Sequence, residues 1–252
     1  MTPEVAHLLS VYSKELATWM DVLDHTRSYQ LEVTRRCLTS TLLRECVCAF
    51  AAKYLSLIPH GEIWSSPASH YYGDALRSLI RHLDSSPGSN PGDALIANLL
   101  LSSYEMLEGR SHEHQRHLHG AAALVRMQQI DATSRGIDLA SFWIYARHEV
   151  TVALQSETPL QLSPEKWNCE WRKDEVNEDV LGNHVVWLAA RVIDLTFSPT
   201  RSPSIDDNLQ DIQNEATTWF DNLPQSFQGV KYGQPDDLGF NKTYFAVSTA
   251  GE

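Results

Sequence analysis

Residues 111–119 read Ser111-His112-Glu113-His114-Gln115-Arg116-His117-Leu118-His119, four histidines within eight residues. Neutral imidazole is a common ligand for zinc and iron. On a helix, residues i and i+3 share a face. A helix starting near Glu113 would therefore present His114 and His117 side by side, with His112 and Glu113 close. The pattern is not H-E-x-x-H, because Glu113 stands between His112 and His114. Two readings stay open. One is a metal-dependent enzyme or small ligand-binding protein using His112, His114 and His117. The other is a mixed polar and packing face at the start of a helix.

Asp21 and Asp24 form a second candidate pair, i and i+3 near the end of an apolar-striped segment. Paired carboxylates can do acid–base work. Near a helix C-terminus they also oppose the macrodipole and need a cation nearby, so a structural salt-bridge role is expected. No G-x-S-x-G, G-x-x-x-x-G-K-[ST] or G-x-G-x-x-G occurs, which leaves a serine nucleophile or a nucleotide without sequence support. No catalytic residue, cofactor-binding residue, metal ligand or cofactor is assigned.

The four cysteines, Cys37, Cys46, Cys48 and Cys169, are expected to be thiols. Cys46 and Cys48 would point about 200° apart on a helix, so they cannot easily share a metal. The net charge is −12. Proteins that bind phosphate backbones need the opposite sign, so direct DNA binding is not expected. Arg27, Arg35, Arg36, Arg44 and Lys53 outnumber the acids around them and form a local basic patch, read as a solvated helix face. No run is judged to approach the ~20 apolar residues of a membrane span, and Met1-Thr2-Pro3-Glu4 has no basic n-region. An intracellular protein without a membrane partner is expected.

Helical periodicity must position these residues. Thr2 and Pro3 cap a first helix with the stripe Val5, Leu8, Leu9, Tyr12, Leu16, Trp19 and Leu23. A second, about 39–58, is apolar nearly all round and predicts a buried central helix. A third opens at Ser66-Pro67 with Tyr72, Leu76, Leu79, Ile80 and Leu83 on one face, and ends in a loop at Ser85-Ser86-Pro87-Gly88-Ser89. The fourth begins at Asn90-Pro91 and ends at Gly109. Further helices are predicted at about 113–129, 137–154, 175–197 and 206–223. Trp19, Trp143 and Trp219 fall in stripe positions and read as core. No strand signal is strong, and beyond residue 225 only scattered aromatics remain. The expected fold is all-α, an irregular domain of about eight helices over residues 1–225 with an irregular tail over 226–252.

A series of short motifs runs in a fixed order: Leu9-x-x-Tyr12, Ala17-Thr18-Trp19-Met20-Asp21, Cys48-Ala49-Phe50-Ala51-Ala52-Lys53-Tyr54-Leu55, Tyr71-Tyr72-x-x-Ala75-Leu76, Leu99-Leu100-x5-Glu105-Met106, Arg116-His117-Leu118-His119-Gly120-Ala121 and Phe142-Trp143-Ile144-Tyr145-Ala146-Arg147. Over roughly residues 5 to 225 this resembles the fungal-specific transcription factor domain, the helical regulatory region that accompanies binuclear zinc-cluster DNA-binding modules. The resemblance implies a structural role for His117, with Gly120 letting helices approach. It also implies a pathway-specific transcription regulator in the nucleus, concerned with nutrient use or secondary metabolism. Such a regulator would act through protein partners or a dimer, with a small-molecule effector. The six-cysteine cluster has no counterpart among the four cysteines, and the helical region is expected to be C-terminally shortened.

Overall fold

A computed structural model describes residues 1–84, 91–109, 114–198 and 205–245. The chain divides into two compact units, Met1–Val152 and Ala153–Glu252. The predicted loop at Ser85 to Ser89 lies outside the described residues.

In the first unit, α1 (Pro3–Val11) starts where Thr2 Oγ1 accepts from Val5 N at 3.2 Å. It runs into a π-helical turn, Tyr12–Leu16, and then α2 (Ala17–Met20). A π turn holds one residue more than an α turn, so the face beyond it shifts by one position. The core therefore takes Leu8, Leu9, Tyr12 and Leu16, then Ala17 and Met20, while Trp19 is 50% exposed. The reading of Trp19 as core is thus corrected. Its ring stands edge-on to Tyr54, with centroids 5.4 Å apart. A second π turn, Tyr29–Val33, and α3 (Thr34–Arg36) follow, in a stretch with no predicted helix.

The central element is α4 (Thr41–Leu57), capped by Ser40. Every residue from Cys46 to Ala52 is buried. The small side chains Ala49, Ala51 and Ala52 let neighbours close in, and α4 packs on α1, α5 (Ser65–Asp84) and α6 (Pro91–Glu108). Ile80 and Leu83 on α5, predicted to share its core face, are 59% and 54% exposed. Gly109, at φ +72°, ends α6 in the left-handed conformation that glycine adopts without strain. α7 (His114–Gln128) packs on α6. α8 (Gly136–Ser156) carries the core residues Phe142, Trp143, Tyr145 and Ala146.

In the second unit, a 3-10 turn, Pro164–Trp167, packs on α9 (Glu178–Phe197), which Asn177 caps and which pairs with α10 (Ile205–Asp221). Among the described residues α9 is long and apolar enough, by length and composition, to cross a membrane. This corrects the estimate that no stretch reaches that measure. Leu181, Asn183, His184, Leu188 and Ile193 of α9 are nonetheless buried inside the protein. Phe220, predicted in the α10 stripe, is 69% exposed. The tail holds a small antiparallel hairpin, β1 (Val230–Tyr232) with β2 (Lys242–Tyr244), where no strand was predicted. The architecture is all-α apart from it.

Candidate functional site

The predicted motifs converge on two buried polar knots in the first unit. The first lies between α5, α6 and α7. Asn98 is a lone amide within the apolar run Leu95 to Leu101 of α6. Its Nδ2 donates to Ala94 O at 2.9 Å, which leaves Oδ1 as an acceptor 3.2 Å from His117 Nδ1. The other ring nitrogen, Nε2, lies 3.4 Å from Glu105 Oε1 and 3.4 Å from Tyr72 Oη. The Tyr72 hydroxyl donates to Glu105, and its ring stacks on Tyr104 at 4.5 Å. A Cβ on Gly120 would come 2.9 Å from Asn98 Oδ1. Glycine at this position is what lets α7 close on α6.

The second knot joins motifs more than a hundred residues apart. Asp21 is buried at the end of α2. Its Oδ1 accepts from Tyr29 N and its Oδ2 from Gln30 N, both at 2.8 Å. Asp24 accepts from Thr26 N at 2.9 Å and Ser28 N at 3.0 Å. The two aspartates thus shape the link from α2 to the second π turn and do not face one another as an acid–base couple. The cation expected beside them is Arg147, whose charge bears on Asp21 and whose Nη2 donates to Met20 O at 2.8 Å. Tyr29 Oη and Ser141 Oγ, 2.9 Å apart, close the knot. Burial pushes the Asp21 carboxyl up to about 6, although the two backbone N–H groups and Arg147 favour its charged form.

A third cluster occupies the second unit. His184, 3% exposed, is stacked on Trp171 at 5.0 Å and tilted against Trp187 at 5.4 Å. Its Nε2 lies 3.3 Å from Glu215 Oε1, and the other oxygen of Glu215 pairs with Arg191. Arg191 also covers the Trp187 ring at 4.6 Å. Burial lowers the His184 pKa to about 4 against the pull of Glu215, so the ring is neutral at pH 7.

Of the histidine series, His112 and Glu113 lie outside the described residues, and nothing is described of the His114 side chain. His117 is engaged by Asn98 and Glu105, and His119 is exposed. Among the described residues no group of three or more His, Cys, Asp or Glu side chains could hold a metal ion. Cys37, Cys46 and Cys48 are buried, and burial pushes their thiols up, to about 12 for Cys37 and Cys48. At pH 7 they are small hydrophobes, not thiolates.

The basic patch is largely consumed inside the unit. Arg36 pairs with Glu32 and Asp93, Arg44 donates to Cys37 O and Thr41 Oγ1, and Lys53 pairs with Glu108. Arg27 and Arg35 remain exposed. A groove of about 430 Å³ beside Glu4, Ser66, Pro67, His70, Tyr71 and Asp74 is open to solvent and mixed in character. A cleft of about 140 Å³ beside Glu165, Arg191 and Asp194 is smaller than the roughly 300–1,000 Å³ usual for small-molecule sites.

A family model for the fungal specific transcription factor domain matches residues 7–168, more than half of the chain. The chain belongs to this family. As a member it is a transcription regulator. The match takes in both knots of the first unit and ends just after Trp167, so α9 and α10 lie beyond it. No curated protein and no solved structure matches the chain.

The sequence reading missed Asn98 and the Arg147–Met20 contact. A lone amide inside an apolar run, facing a helical glycine, was the available signal for the first. No local pattern marks the second, because its partners are 127 residues apart.

Proposed function

We propose that this chain controls the genes of one pathway, in nutrient use or secondary metabolism, from the nucleus, and that it does so through contacts with other transcription regulators. One observation carries this reading. Asp21, Glu105, His117, Gly120 and Arg147 of the motif series are turned into the first unit and hold its helices together, which leaves the surface to do the work. The net charge of −12 supports a role for these residues without direct DNA contact.

The test is a tethering assay. The chain, fused to a heterologous DNA-binding module, is expected to change reporter output several-fold and to concentrate in the nucleus when tagged alone. Reporter output equal to that of the module by itself would sink the regulatory reading. Specific retardation of a DNA fragment by the purified chain at about 150 mM salt would sink the claim that it works without touching DNA.

A further inference from the structure

Helices α9 and α10 are antiparallel neighbours. Trp219 Nε1 donates to Leu181 O at 3.1 Å, near the start of one helix and the end of the other, and Glu215 meets His184 and Arg191. These contacts fix which side of each helix faces its partner. Val185 and Val192 each follow a contact residue of α9, His184 and Arg191. Ala216 and Phe220 each follow a contact residue of α10, Glu215 and Trp219. In an α-helix the next residue lies about 100° further round. Seen from one end, antiparallel helices turn in opposite senses, so this single step leads to the same side of the pair on both helices. Leu209, three turns before Phe220, falls on that side too.

The result is one apolar stripe across two helices. Along the axes, at 1.5 Å per residue, Val185 and Val192 lie about 10 Å apart on α9, and Leu209 and Phe220 about 16 Å apart on α10. The small residues Ala189 and Ala216 and the exposed amide Gln213 lie between them. The corners are open to solvent: Val185 43%, Val192 40%, Leu209 38% and Phe220 69% exposed. Apolar ends two turns apart on α9 and three turns apart on α10 suit a helix whose anchors recur along one face over two to three turns.

Charge selects the kind of helix. Between Arg201 and Lys231 the sequence has no Lys or Arg but five acids, Asp206, Asp207, Asp211, Glu215 and Asp221. Glu215 is engaged by Arg191 and His184. The four aspartates are exposed and make no ion pair among the described residues. Asp206 and Asp221 fall on the outer, solvent side of the stripe. A second copy of the same face would set acid against acid, whereas a helix flanked by Lys and Arg is complementary.

We infer that the α9–α10 face is a docking site for a basic amphipathic helix of a partner protein. The inference rests on the reading that this regulator works through protein contacts, and it names the surface and the partner's chemistry.

The probe is a fluorescein-labelled helical peptide of about 18 residues, with Leu at i, i+3/i+4 and i+7 positions and Lys beside them, titrated with the full chain by anisotropy. Micromolar binding is expected. Val185→Ser with Phe220→Ser should weaken it about tenfold or more, a loss of about 1.4 kcal/mol or more. Asp206→Asn with Asp221→Asn should weaken it and flatten its salt dependence. All four positions are on the surface, so the variants should keep the wild-type melting temperature. Ile80→Ser, on the exposed face of α5, should leave binding unchanged. Absence of binding by the wild-type chain, equal binding by the Val185/Phe220 variant, or equal binding of a peptide with Glu for Lys overturns the inference. So does a wild-type dimer in sedimentation that Phe220→Ser dissociates, which would give the face to a second copy. In the tethering assay the two readings fail separately. No output from the wild-type chain removes the regulatory reading. Output that the Val185/Phe220 variant leaves intact removes only this face.

Discussion

In the first unit Asp21 is buried with both carboxylate oxygens held by backbone N–H groups. In the second, His184 is buried between two tryptophan rings, with its Nε2 beside Glu215. Both sites take an ionisable group out of water, and in both the neutral form gains. For an acid the neutral form is the protonated one, and for an imidazole it is the deprotonated one. The same desolvation therefore gives the two regions opposite responses to acid. They also differ in what else holds them. The first unit ties its polar groups into chains that cross several helices, whereas the second relies on stacked rings and one shared carboxylate. The family match covers the first arrangement and stops before α9 and α10.

The largest effect should come from the closest approach in the first unit. Glycine inside a helix ordinarily weakens it by about 1 kcal/mol relative to alanine. At Gly120 the sign should reverse, because a Cβ would press on Asn98 Oδ1, which is fixed by His117. Gly120→Val is expected to destabilise by about 3 kcal/mol, as overpacking of a tight core does. It is read as a fall in the urea midpoint at unchanged slope. Gly120→Ala combined with Asn98→Ala should recover stability relative to Gly120→Ala alone. If Gly120→Val leaves the midpoint in place, the α6–α7 contact is looser than this geometry.

The comparison itself is tested by pH. The folded pKa of Asp21, about 6, lies above its unfolded value of 3.8, so the folded state binds the extra proton. Its contribution to stability is fully present below the unfolded value and is lost as pH rises through about 6. For His184 the folded value, about 4, lies below the unfolded 6.5. Its contribution is present above 6.5 and is lost as pH falls toward 4. Between pH 7 and 5 each should shift its own region by about 1–2 kcal/mol, in opposite directions. Hydrogen exchange resolves them. Amides of residues 17–33 should gain protection at pH 5 once chemical exchange is corrected for, and those of α9 and α10 should lose it. His184→Phe should abolish the second response while keeping a ring between the tryptophans. Shifts of the same sign in both regions would break the comparison.

What the sequence made legible follows from the range of each signal. Helix boundaries were readable where caps are local: Thr2 before Pro3 opens α1 and Gly109 closes α6, whereas the Ser40 cap of α4 was not singled out. The core face was readable only while the period held. The π turn at Tyr12–Leu16 has no composition of its own, and it moved burial from Trp19 to Met20. Ile80, Leu83 and Phe220 keep helical spacing yet stay exposed, because spacing says nothing about what covers a face. The motif order named the family, but the atoms that use those motifs were out of reach. Asp21 was paired in sequence with Asp24, and its function depends on Tyr29, Gln30 and Arg147.

The smallest effect probes how far the first knot acts as a chain. The Tyr72 hydroxyl donates to Glu105, and Glu105 Oε1 is also the oxygen nearest His117 Nε2. Tyr72→Phe keeps the stack on Tyr104 and removes only the hydroxyl. A hydrogen bond to a charged group is worth about 1.5–3 kcal/mol. Because Glu105 keeps His117 as a neighbour, the loss should fall to about 1 kcal/mol. His117→Gln should cost a similar amount with Tyr72 intact. The double variant should then cost more than the sum of the two, because Glu105, 4% exposed, would lose both groups facing Oε1. Strict additivity in denaturant unfolding would mean that each group serves Glu105 independently. The knot would then be three separate contacts, as local as the stacked rings around His184.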